Sequence, residues 1–213
     1  MSIKEIHIPV TLSTSYCTLN ELNTKTKKIW LVFHGYGMLS RYFIKKFEQL
    51  DPVENFIIAP QGLSRFYLEG FTGRVGACWM TKEDRLTEID NQIKYIDAVL
   101  QAALPKDHHA EVILFGFSQG TATAVRYGAF SNLRFDKLVL WSGTFPDDLA
   151  PDQVTHWSTD LKILYFSGKY DPFLQPGMQQ RIIDLVKNTT GIHPEFHEFE
   201  GKHEVISTLL DLI

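Results

Sequence analysis

The chain has 213 residues, 44% hydrophobic and 22% charged, with a formal net charge of −4, a composition ordinary for a globular chain able to bury a substantial core. It has no run of about 18 apolar residues that would span a membrane. The mild acidity, together with a basic cluster no larger than Lys25-Thr26-Lys27-Lys28, argues against a nucleic-acid binder. The opening residues, Met1-Ser2-Ile3-Lys4-Glu5-Ile6-His7, lack the apolar centre of a secretory signal. Cys17 and Cys78 lie far apart with no zinc or redox spacing, so two reduced thiols in a cytoplasmic protein are expected. No repeat, low-complexity tract or linker divides the chain, and one domain over residues 1–213 is expected.

Taken in chain order, residues 3–10 and 11–19 alternate like two early strands that follow one another directly, as in a hairpin. Lys28-Ile29-Trp30-Leu31-Val32-Phe33 is a continuous apolar run of the kind buried on both faces of a sheet. Similar runs recur at 56–59, 112–115, 138–141 and 163–166, and a more polar one at 195–199 suits an edge strand. Between them, residues 84–104 repeat Leu86, Ile89, Ile93, Ile96, Val99 and Leu100 at helical spacing. Thr81 offers a capping-box-like start, with Asp84 in place of the usual Glu or Gln. Met178, Ile182, Leu185 and Val186 mark a second helix ending before Gly191, and Val205, Ile206, Leu209 and Leu210 a third. Strands alternating with helices predict an α/β fold, a mostly parallel sheet covered on both faces.

Gly116-Phe117-Ser118-Gln119-Gly120 follows the strand at 112–115 and runs into the small residues Thr121-Ala122-Thr123-Ala124. Strand, turn and helix in that order form a nucleophile elbow, which exposes the serine hydroxyl above the sheet edge near a helix N-terminus. A serine hydroxyl needs a histidine base oriented by a carboxylate, found in this fold in the order Ser, acid, His, just beyond strand ends. Asp171 meets that condition in Ser167-Gly168-Lys169-Tyr170-Asp171-Pro172. Asp147 and Asp148 are the alternatives, whereas Asp160 precedes a strand and Asp184 lies within a helix. His203 follows the last strand through Glu200-Gly201-Lys202, while His193 and His197 lie before or within it. Pro194 and the strand pattern argue against a metal site built from these histidines. Two backbone donors for an oxyanion follow from the same logic: the N–H of Gln119, and that of Tyr36 in His34-Gly35-Tyr36-Gly37. His34 itself is expected to shape that loop.

These segments, with Ala59-Pro60, Trp141-Ser142-Gly143, Gly168-Lys169-Tyr170-Asp171-Pro172 and Gly201-Lys202-His203, resemble the phospholipase/carboxylesterase family, which includes acyl-protein thioesterases and small bacterial carboxylesterases. The resemblance runs from about Ile29 to the C-terminus. It implies an α/β-hydrolase fold, a Ser118-His203-Asp171 triad, an oxyanion hole at Tyr36 and Gln119, hydrolysis of carboxylic esters or thioesters, no cofactor and a cytoplasmic location. The chain departs from the family's Trp-Phe-Asp segment, reading Cys78-Trp79-Met80-Thr81, and from its usual loop over residues 61–76.

The connection 143–160 is too short for a large lid domain, so an open cleft is expected. Phe66, Tyr67, Trp79, Phe145 and Phe173 are candidates either to line a substrate pocket or to pack. Arg65 and Arg74 are candidates to attract an anionic group or to stand in solvent. The expected partner is a small acyl ester or thioester. A serine hydrolase for a peptide or lactone bond, or a catalytically silent binding protein on the same scaffold, are the competing readings.

Overall fold

The computed structural model describes residues 2–105 and 107–213. Its strands are β1 Tyr16–Leu19, β2 Lys28–Phe33, β3 Asn55–Pro60, β4 Ser64–Tyr67, β5 Val75–Cys78, β6 Glu111–Phe117, β7 Lys137–Trp141, β8 Lys162–Gly168 and β9 Glu195–Phe199. Its helices are α1 Ser40–Phe43, which continues as a 3-10 turn, α2 Arg85–Ala103, α3 Gln119–Phe130 and α4 Met178–Thr190. The main sheet has the order β1-β3-β2-β6-β7-β8-β9. Every neighbouring pair is parallel except β1 with β3.

The continuous apolar runs explain the layering. Along β2, Ile29, Leu31 and Phe33 enter a core shared with Ile96 and Val99 of α2, Val125 of α3 and Val186 of α4. The alternate residues Trp30 and Val32 enter the opposite core with Phe43, Phe47, Val205 and Leu210. The same split runs through β6, β7 and β8: Leu114, Leu140 and Tyr165 face one side, and Phe115, Trp141 and Phe166 the other. A strand covered on both faces has no polar register, which is why these segments read as unbroken apolar runs. β9 closes one edge and is the more polar strand expected there.

Several expectations change. Of the two early strands, only Tyr16–Leu19 pairs, antiparallel to Pro60–Ile57 at the sheet edge. Upstream, Ile3, Ile6, Ile8, Val10 and Leu12 are exposed, because β3 ends at Pro60, opposite Tyr16, and offers no further strand for them to pair with. That segment touches α2 instead, where the Tyr95 hydroxyl donates to the Ser15 carbonyl at 2.7 Å. The loop before Trp79 contains an unexpected hairpin of β4 and β5, and α1 was likewise not anticipated. α2 begins at Arg85 without a side-chain cap on Asp84; the Thr81 hydroxyl accepts the nearer Glu83 N–H instead. α4 ends as expected, on Gly191 at φ 74°. The third apolar stretch forms only a 3-10 helix, Ser207–Leu212. Cys17 and Cys78 are both free. Among the described residues, no helix is long and apolar enough to cross a membrane.

Candidate active site

Ser118 stands between β6 and α3 at φ 54°, ψ −118°, a conformation that costs a non-glycine residue free energy and persists only where its surroundings enforce it. Three bonds do so: Ser118 N–H donates to the Trp141 carbonyl (2.9 Å), Thr121 N–H to the Ser118 carbonyl (3.1 Å) and the Thr121 hydroxyl to the Gly116 carbonyl (3.0 Å). The flanking glycines are required by space. A Cβ on Gly116 would collide with the backbone of Thr121, and one on Gly120 with the carbonyl of Phe33.

The ends of β8 and β9 bring the other two side chains to this turn. Lys169 N–H donates to the Phe199 carbonyl and Tyr170 N–H to the Gly201 carbonyl, both at 2.9 Å, which straps the Asp171 loop to the His203 loop. His203 Nε2 lies 2.9 Å from Ser118 Oγ, and its Nδ1 lies 2.7 Å from Asp171 Oδ2. Asp171 is buried, and its second oxygen accepts the Phe173 N–H at 2.9 Å. Phe117 and Phe173 flank the imidazole with ring centroids 5.0 and 4.7 Å away. His203 lies in a bend before the 3-10 helix rather than opening it. Asp148 instead pairs with Arg85 and Arg126, and Asp184 accepts from Gln180 on α4. His197 stacks on Phe166 at 4.6 Å. Among the described residues, no three His, Cys, Asp or Glu side chains are grouped as metal ligands.

Tyr36 and Gln119 line the same cavity as Ser118 and His203. Among the described residues, neither of their N–H groups is bonded elsewhere. A network braces the two segments that carry them. Trp79 is buried; its indole N–H donates to the His34 carbonyl at 2.8 Å, and its backbone N–H donates to Gln119 Oε1 at 3.0 Å. Gln119 Nε2 donates to the Met80 carbonyl at 2.9 Å, and Gln92 donates to the Trp79 carbonyl. One tryptophan thus links the His34 loop to the start of α3. Sequence reasoning missed Gln92 and the Gln119 side chain in this role, since only the fold brings residues 79, 92 and 119 together.

His34 is fully buried and shapes its loop. Its Nε2 accepts the Gly62 N–H at 3.0 Å, so the proton sits on Nδ1 and is donated to the Gly35 carbonyl at 2.8 Å. Gln61, also buried, donates to the same Nε2 (3.2 Å) while its oxygen accepts the Ser40 N–H (2.9 Å). Burial pushes the His34 pKa down to about 4, so the unfolded chain takes up a proton before the folded one does. Stability from this group is complete above the unfolded value of about 6.5 and is lost as pH falls toward 4. Urea unfolding at pH 5 should therefore show about 2 kcal/mol less stability than at pH 7.5 from His34 alone. His34→Gln should reduce that pH dependence by about the same amount, and an unchanged dependence would refute the assignment.

The cavity has a volume of about 520 Å³. Of the five aromatic candidates, Phe173 alone lines it. Phe66 packs at a tilt against Tyr36, ring centroids 5.1 Å apart, and does not line the cavity. Tyr67 is half-exposed on the β4 hairpin. Trp79 is a packing and bracing residue because both of its N–H groups are committed. Phe145 is buried in the core and faces an adjoining cavity. Arg65 and Arg74 do not line the cavity; Arg74 pairs with Glu69 in solvent at 3.4 Å. Ser142, at φ 47°, also lines it, with a buried hydroxyl that has no partner among the described residues.

A family model described as phospholipase/carboxylesterase matches residues 19–213. No curated protein matches the chain by sequence. Among solved structures, acyl-protein thioesterase 2 of Zea mays aligns at TM-score 0.70 and 19% identity, over 94% of this chain and 96% of that one. Esterase PE8 aligns at TM-score 0.68 and 20% identity over the same shares, 94% and 96%. A phospholipase/carboxylesterase from Dyadobacter fermentans aligns at TM-score 0.60 and 16% identity over 96% of both chains. At these identities the likeness is one of fold, the α/β-hydrolase fold.

Proposed function

The chain belongs to the phospholipase/carboxylesterase family, and from that premise we propose that it hydrolyses carboxylic esters or thioesters through an acyl-enzyme on Ser118. The observation that carries the proposal is the unbroken chain Ser118 Oγ, His203 Nε2, His203 Nδ1, Asp171 Oδ2, with links of 2.9 and 2.7 Å, opening into a cavity. His203 Nε2 takes the Ser118 proton as Oγ attacks the substrate carbonyl carbon. The oxygen of the tetrahedral intermediate receives the Tyr36 and Gln119 N–H groups. As the carbonyl re-forms, the bond to the alcohol or thiol breaks and His203 gives that leaving group its proton. Water, deprotonated by the same Nε2, then attacks the acyl-enzyme and releases the acid and Ser118. Asp171 holds the imidazole in the tautomer that leaves Nε2 free to accept. The free thiols of Cys17 and Cys78 suit a reducing compartment, the cytoplasm.

The test is turnover of oxygen esters, thioesters and peptides that share one acyl group. Esters and thioesters should be cleaved with a burst of leaving group where deacylation is slow, and the peptide should not. Cleavage of the peptide alone, or of none of the three by folded protein, would overturn the proposal.

A further inference from the structure

Next to the cavity that holds Ser118 lies a second, of about 490 Å³, and Ala122, Thr144, Met178 and Ile182 line both. These four residues, three of them apolar, form the boundary that the two cavities share, so the second can serve as a branch of the first. His203, which must protonate the leaving group, lines the first branch and not the second. The leaving group therefore stays in the first branch, and the acyl chain has the second to run into.

That branch is also lined by Arg126 on α3, Arg181 on α4 and Asp147. Ser118 caps α3, and Ala122 and Arg126 follow at successive four-residue steps along the same face, so Arg126 lies about 12 Å along the helix axis from the nucleophile. Its side chain is only 12% exposed, and Nη2 is fixed on Asp148 Oδ1 at 2.8 Å. Asp148 also accepts Arg85, at 2.6 Å. Burial opposes ionisation of this carboxyl, but the two guanidinium groups outweigh it and hold the pKa at about 2. Arg181 has no ion pair among the described residues. The lining of this cavity thus carries two arginines and one carboxylate, and with Arg126 committed to Asp148, Arg181 is its cation without an ion pair among the described residues.

We propose that this branch is an acyl subsite for chains ending in a carboxylate, with Arg181 and Arg126 receiving the distal anion; the proposal rests on Ser118 being the nucleophile. An apolar chain crosses Ala122, Met178 and Ile182, and its terminal carboxylate meets guanidinium donors suited to it in geometry and charge. The preferred substrates are monoesters or monothioesters of medium-length dicarboxylic acids.

The experiment compares mono-p-nitrophenyl suberate with p-nitrophenyl octanoate, which has the same number of acyl carbons. Each rate is normalised to p-nitrophenyl acetate, which is too short to reach the arginines. In the wild-type protein kcat/KM should favour the suberate by about tenfold, the scale of one charge-assisted hydrogen bond, and the preference should shrink at high salt. Arg181→Gln and Arg126→Gln should bring the two substrates close to parity. Arg181 is exposed, so its variant carries the test even where loss of the Arg126 ion pair impairs folding. A wild-type preference for octanoate, or a suberate preference undiminished in the folded variants, would overturn the subsite while acetate turnover left the hydrolase proposal standing. Failure of the wild-type protein to turn over acetate would overturn both.

Discussion

Replacing Ser118 with alanine should lower kcat/KM for any cleaved ester by about 10⁵-fold or more while leaving the melting temperature nearly unchanged. The loss is large because Oγ forms the covalent bond, and the residual rate comes only from oxyanion donors and binding. The fold should survive because alanine at φ 54° bears much the same backbone strain as serine. The bonds holding the elbow use the backbone of residue 118 and the side chain of Thr121, not Oγ. Ester turnover and thermal unfolding measured on one preparation check both halves. A variant retaining a tenth of wild-type activity would place the nucleophile elsewhere.

Asp171→Asn should lower kcat by about 10⁴-fold with a much smaller change in KM. The reason lies in the second oxygen of Asp171, which accepts the Phe173 N–H. That donor still requires an acceptor after the substitution, so the new amide keeps its oxygen on Phe173 and turns its NH₂ toward His203 Nδ1. Nδ1 must then accept, which puts the imidazole proton on Nε2 and leaves nothing to take the Ser118 proton. Steady-state kinetics with a short ester separates kcat from KM. An effect below about tenfold would mean that the carboxylate does not set the tautomer.

The parts of the molecule legible in the sequence are those whose surroundings impose a local pattern. β2, β6, β7 and β8 are covered on both faces, so burial alone makes them apolar throughout. Ser118, Asp171 and His203, which the fold brings into contact, could be singled out as candidates because an elbow needs small flanking residues and an open sheet gathers functional groups beyond its strand ends. Elements without such a constraint were not legible. Residues 3–12 alternate like a strand, yet a strand needs an edge to pair with, and β3 ends at Pro60, opposite Tyr16. The β4–β5 hairpin has strands of four residues that are mostly exposed at β4 and small at β5, so no periodicity accumulates. Pocket aromatics were the least predictable. Whether Trp79 meets substrate or braces two loops depends on where its N–H groups point, which is settled by Gln119 and His34, 40 and 45 positions away.

The most direct test of the account is covalent capture of the nucleophile with a fluorophosphonate ester, followed by mass spectrometry of the peptides. One adduct per chain should form, on the peptide carrying Ser118. It should form more slowly in Asp171→Asn and be absent in Ser118→Ala. Folded wild-type protein that stays unlabelled, or an adduct that persists in Ser118→Ala, would contradict the assignment of Ser118.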